Sequence, residues 1–292
     1  MRRFPALFVA FLAPKQSVVR LFDRAISTLA HRRIGGARPT IRSMRSRKPS
    51  LKSAPSKSLT GIVGFDEITG GGLPSGRTTL LVGGPGSGKT IFALQFLAHG
   101  ARDLKEPGIF VAFEEAPQRI IANSEGFGWN LGPLQPKKLF FLDAQPPPDI
   151  IQSGNFDLSG MLAVLGDKAR AMGARRIVLD AVDILLSILP DAATRRREVY
   201  RVHRWLLKND LTGLITAKDI GDNASSFTEQ PLGLMQFMVD CTVILNHRVV
   251  LGTSRRDLRV QKYRGSGFEE DELPFVIGAG GIDVAVREPG RK

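Results

Sequence analysis

Gly83-Gly84-Pro85-Gly86-Ser87-Gly88-Lys89-Thr90 spells a phosphate-binding loop, Gly-x-x-x-x-Gly-Lys-Thr. Its flanks supply the context such a loop requires. The apolar run at 79–82 predicts a buried strand, and the pattern over 91–97 predicts a helix. Gly83, Gly86 and Gly88 let the backbone turn successive N–H groups toward phosphate oxygens. The helix that starts near Gly88 adds the positive end of its dipole. Lys89 is placed for the β and γ phosphates and the Thr90 hydroxyl for a magnesium ion. The eight residues together predict a nucleotide site.

Working outward, apolar runs at 108–113, 138–142, 176–179 and 212–216 predict further strands. Helical patterns lie between them near 118–126, 159–172 and 193–208. Such alternation implies an α/β fold with a mainly parallel sheet covered by helices on both faces. After Asp240 the pattern becomes short strands at 242–249, 258–263, 274–277 and 282–286, which predicts an antiparallel edge at the C-terminal end.

The net charge of +13 resembles a nucleic-acid footprint until it is located. Residues 1–57 hold 14 Lys and Arg against one acid, Asp23, and residues 58–292 hold 27 of each sign. Any contact with nucleic acid is therefore expected through the extension rather than the body. The apolar stretch at 4–14 is too short to span a bilayer, so no transmembrane segment is expected there. Val18, Val19, Phe22, Ile26 and Leu29 recur at helical spacing, whereas 31–57 is too poor in large apolar residues to order itself. Met44 is an alternative start. The body is read as one domain over 58–292. A single cysteine, Cys241, excludes an internal disulfide and fits a reducing cytoplasm. The four histidines lack metal-ligand spacing.

Hydrolysis needs more than a phosphate loop. Glu114 and Glu115 follow the second strand, where side chains face the crevice outside the carboxyl ends of a parallel sheet. A carboxylate there can orient or activate water. Asp180 ends the strand at 177–179 and is the expected magnesium-side acid; Asp183 is expected as a helix cap or loop residue.

The chain resembles the KaiC family of RecA-like ATPases, named for the cyanobacterial circadian clock protein. The resemblance rests on Thr60-Gly61-Ile62-Val63-Gly64-Phe65-Asp66, Gly70-Gly71-Gly72-Leu73-Pro74-Ser75-Gly76, Phe113-Glu114-Glu115, Phe127-Gly128-Trp129 and Lys262-Tyr263-Arg264-Gly265-Ser266. It implies ATP and Mg2+, a hexameric ring with sites between subunits, Glu114 and Glu115 as catalytic acids, and Lys262 and Arg264 reaching a neighbour's γ-phosphate. It also implies regulation of protein partners. Two residues apart on a strand share a face, so both cations can meet one phosphoryl group.

Three departures stand out. The clock protein has two domains and phosphorylates itself at a Ser-Thr pair; the corresponding positions here are Gln236 and Phe237, which have no hydroxyl. That puts a protein-kinase activity in doubt and raises the question of a lost second domain. Lys218 stands where many relatives carry an acid, and Ala181 follows Asp180 where serine is common. The guanine-reading pattern Asn-Lys-x-Asp is absent, which favours ATP over GTP. A DNA-binding ATPase of the recombinase kind is the alternative.

Overall fold

The computed structural model describes residues 56–147, 156, 158–218 and 231–286. The expectations for residues 1–55, including the helical spacing at 18–29 and the alternative start at Met44, lie outside the described residues. Lys57, which composition groups with the extension, lies in a strand of the body. There β1 (Lys57–Ser58) pairs antiparallel with β2 (Leu73–Pro74), separated by the short helix α1 (Phe65–Ile68).

The rest is an α/β fold built on nine strands. β3 (Thr78–Gly83) leads through the phosphate loop into α2 (Lys89–Asp103), and β4 (Gly108–Ala112) leads into α3 (Pro117–Ser124). There follow β5 (Leu139–Asp143), α4 (Leu158–Met172), β6 (Arg176–Asp180), α5 (Val182–Ser187), α6 (Ala192–Lys208), β7 (Thr212–Lys218) and α7 (Pro231–Met238). The chain continues through β8 (Cys241–Val250), β9 (Thr253–Tyr263), β10 (Leu273–Gly278) and β11 (Gly281–Val284). Across the sheet the order is β11-β10-β9-β8-β3-β7-β6-β4-β5. The six strands from β8 to β5 are parallel, so the segment at 242–249, expected in the antiparallel edge, instead joins the parallel sheet beside β3; β9, β10 and β11 run antiparallel, as the sequence pattern predicts.

Side-chain alternation along the strands splits the core in two. Leu81, Phe110 and Ala112 face one apolar layer with α2, while Leu80, Val82, Ile109 and Val111 face the other with α4, α5, α6 and α7. Both layers are apolar because parallel strands are buried on both faces. Cys241 is a buried core residue, and burial pushes its thiol up to about 12. The phosphate loop thus hangs from the central strand of the sheet.

One buried charge ties the two halves of the site together. The guanidinium of Arg176, at the start of β6, is fully buried beneath α2. It pairs with Glu106 at 2.5 Å, donates to the carbonyls of Leu59 and Phe96 at 2.9 and 2.7 Å, and lies over the Phe96 ring. Gly100 makes room for it: a Cβ there would stand 2.4 Å from Arg176 Nε. Alanine is worth about 1 kcal/mol over glycine inside a helix, yet overpacking a site that cannot yield costs about 1–3 kcal/mol. Gly100→Ala is therefore expected to lower the urea midpoint, where an ordinary helix glycine would raise it.

Candidate active site

Loop and helix build the phosphate end of a cleft of about 640 Å³. Gly86 and Gly88 have φ of 70° and 101°, the left-handed region that a Cβ disfavours, and Gly88 is the N-cap of α2. The Lys89 ammonium donates to the carbonyls of Gly83 and Gly84 at 2.7 and 3.0 Å. Burial lowers its pKa, against the attraction of Asp180, Asp183 and Glu114. The loop carbonyls therefore occupy the lysine where phosphate oxygens would compete for it.

Asp180 sits at the end of β6, beside the loop. Its Oδ2 accepts from the Thr90 hydroxyl at 3.0 Å and its Oδ1 from Thr216 at 2.5 Å. Burial raises its pKa, opposed by these two hydroxyls and by Lys89. Because Thr90 gives its one proton to Asp180, its lone pairs remain for a cation. A hydroxyl oxygen beside a carboxylate is a hard-oxygen donor set that fits magnesium, so Thr90 and Asp180 are the residues that would hold it. The metal would bring charge neutralisation to the phosphates. Ala181, next in sequence, has φ of 66°, a strain of roughly 1–2 kcal/mol for a residue with a Cβ. Asp183 is not the cap of α5, which is Ala181, but lies in its first turn and accepts from the Lys218 backbone N–H at 3.2 Å.

The two glutamates part company. Glu114 lines the phosphate cleft with Lys89 and Asp180. Glu115 turns to α3, where it pairs with Arg119 at 3.3 Å and accepts from Asn123 at 3.2 Å, bordering a smaller adjoining cavity.

Lys262 and Arg264 come together, but away from this cleft. Val243 pairs with Val260 and Thr242 with Lys262, which leaves Gln261 as an extra residue in β9. Such a bulge re-aims the side chains beyond it. Lys262 then donates to the carbonyls of Gln236 and Phe237 at 2.7 and 3.2 Å, and Arg264 to those of Phe237 and Met238 at 2.6 and 3.3 Å. Both cations thus cap the C-terminal end of α7. Thr242 is level with Leu80, three residues before Gly83, so Lys262 sits about 10 Å down the strands from the loop.

Arg256 of β9 also reaches the cleft; its Nε and Nη2 each lie 3.4 Å from the Gly86 carbonyl oxygen. Nothing in the local sequence singles it out among the neighbouring arginines. The pairing of β9 with β8, and of β8 with β3, is what carries it there.

The family described as "ATPase: KaiC" matches residues 58–288. The chain belongs to the KaiC family. Over 230 residues it is 40% identical to circadian clock protein KaiC2 of Synechocystis sp., which covers 78% of this chain and 40% of that relative. It is 38% identical over 237 residues to the circadian clock oscillator protein KaiC of Prochlorococcus marinus subsp. pastoris, covering 80% and 46%. The KaiC of Thermostichus vulcanus is 40% identical over 223 residues, covering 76% and 42%. The chain spans less than half the length of these curated relatives.

Several of the motifs that carry the KaiC likeness turn out to be structural. The Asp66 carboxylate accepts from the backbone of Thr60 and Gly61 and from the Thr60 hydroxyl, at 2.7–3.0 Å, and so folds the segment before α1. Trp129 is buried, stacks on Phe127 and donates to the Gly280 carbonyl at 3.0 Å, which ties the chain after α3 to the β10–β11 turn. Tyr263 donates to the Gly72 carbonyl at 3.0 Å. Within the KaiC-type body α6 holds six Lys and Arg against Glu198 alone, and Arg197 and Arg201 pair with that acid. Among the described residues no helix is long and apolar enough to cross a membrane.

Proposed function

We propose that this KaiC-type ATPase domain binds ATP with magnesium, hydrolyses it slowly, and works in a ring, a hexamer, whose nucleotide state sets its contacts with protein partners in the cytoplasm. The observation that carries the reading is the division of its reactive groups between two places. Lys89, Thr90, Asp180 and Glu114 share one cleft, whereas Lys262 and Arg264 cap α7 down the strands from it. A protomer holding half the set in each place suits catalysis between neighbours, with the cations of one subunit meeting the phosphates of the next. Glu114 would orient or deprotonate water, Lys89 would hold the phosphates, and the two cations would stabilise charge as it develops.

The mass of the full-length protein in solution, with and without magnesium-ATP, tests the ring. A nucleotide-stabilised hexamer is the expected result, and a monomer with full turnover would sink the reading. Lys262→Ala or Arg264→Ala is expected to lower turnover about a hundredfold, as loss of one preorganised donor does elsewhere. Mixing either variant with Lys89→Ala subunits should recover part of the activity, because some mixed interfaces join an intact loop to intact cations. No recovery in mixed rings would place those residues outside the site.

A further inference from the structure

Thr216 lies within β7, fully buried between the apolar neighbours Ile215 and Ala217. Its hydroxyl does two things at once: it donates to Asp180 Oδ1 at 2.5 Å and accepts from the Ala181 N–H at 2.8 Å. One proton and two lone pairs permit both bonds together. Thr78 and Thr242 are buried hydroxyls in the same sheet that find no such partner, so burial alone does not produce this arrangement. Thr90 holds the other carboxylate oxygen, and Asp180 is gripped by α2 on one side and β7 on the other. The torsion that turns a carboxylate is soft and broad, so its plane is set by such contacts rather than by the side chain itself. The peptide that Thr216 also holds belongs to Ala181, whose left-handed backbone persists only where its surroundings fix it.

Resting on the nucleotide reading above, we infer that Thr216 is the positioning residue of the magnesium-side acid: it fixes the plane of the Asp180 carboxylate and the turn that follows it. Thr216 is buried behind Asp180 and does not line the cleft. Its effect is on the geometry that Thr90 and Asp180 offer together. Partners of this kind, one layer behind a ligand, change metal affinity by about 10–100-fold when removed.

Valine has nearly the shape of threonine and lacks its hydroxyl, so Thr216→Val removes both bonds without opening a cavity. In the full-length protein, binding of a fluorescent ADP analogue would be titrated with magnesium and repeated in EDTA. Thr216→Val is expected to raise the magnesium concentration for half-maximal effect about 10–100-fold, with affinity in EDTA unchanged. Thr216→Ser, which keeps the hydroxyl, should stay within about threefold of wild type. Wild-type magnesium dependence in Thr216→Val would overturn the inference, as would an equal loss in EDTA. If Thr216→Val does not fold, it is combined with Ala181→Gly, which relieves the left-handed strain; a double variant that folds and shows the magnesium shift supports the inference. A double variant that still fails to fold makes Thr216 a purely structural residue and overturns it. A wild type that binds no nucleotide in either condition sinks the site reading as well, which separates the two failures.

Discussion

Lys89→Ala is expected to weaken ATP binding at least about a hundredfold, with the fold left intact. Hydrogen bonds from a charged donor contribute about 1.5–3 kcal/mol each, and two from the ammonium to phosphate oxygens exceed the ~2.7 kcal/mol that a hundredfold represents. The structural side of the ledger is small. Burial pushes the Lys89 pKa down, which means that holding this ammonium charged in the fold is unfavourable. Its partners are the carbonyls of Gly83, which ends β3, and of Gly84 just after it, and Lys89 itself lines the cleft, where water can take its place. Calorimetric titration with magnesium-ATP, paired with a thermal melt, checks both halves. Binding within tenfold of wild type would remove Lys89 from the phosphate site; a collapsed melt would make it structural.

Glu114→Gln should lower turnover about a thousandfold while ATP binding is retained, the scale on which a positioned general base acts. Glutamine keeps the size and polarity of the side chain and loses the proton acceptor. Glu115→Gln is expected to cost less than about tenfold, since Glu115 is engaged by Arg119 and Asn123 rather than by the cleft, and an exposed ion pair of this kind contributes little. The double variant should match Glu114→Gln. Single-turnover hydrolysis alongside nucleotide binding separates chemistry from affinity. A thousandfold loss in Glu115→Gln with a near-normal Glu114→Gln would invert the assignment.

The phosphate loop was legible because each of its residue types answers a local demand: glycine for backbone direction, lysine for charge, threonine for a hydroxyl. Strand ends were legible for a related reason, since an apolar run followed by an acid reads as a strand that stops at the crevice, and Asp180 and Glu114 are both found there. The sequence reads Glu114 and Glu115 as one acidic pair, and the fold sends them to different neighbours. Adjacent positions past a strand end point apart, and only Glu114 lines the phosphate cleft.

What the sequence pattern hid is set by register across strands. Arg256 reaches Gly86 because two successive pairings, β9 on β8 and β8 on β3, bring it level with the loop. The bulge at Gln261 leaves no mark in composition, yet it aims Lys262 at the end of α7. Thr216 reads as one more β-branched residue in a buried strand. Its partner lies 36 positions away, and no periodicity reports a contact at that separation.

Arg176 has a consequence for how the nucleotide site can move. Apolar surfaces slide across one another at little cost, because their attraction depends on area and hardly on direction. A guanidinium bonded to two carbonyls and a carboxylate fixes separation and angle together. Arg176 sits at the foot of the strand that ends in Asp180, and it grips the helix that begins with Lys89 and Thr90. Any shear between strand and helix must first break that joint. The lever that carries the acid and the lever that carries the lysine therefore share one pivot, and the distance between their tips is held to the tolerance of a hydrogen bond rather than that of an oily contact.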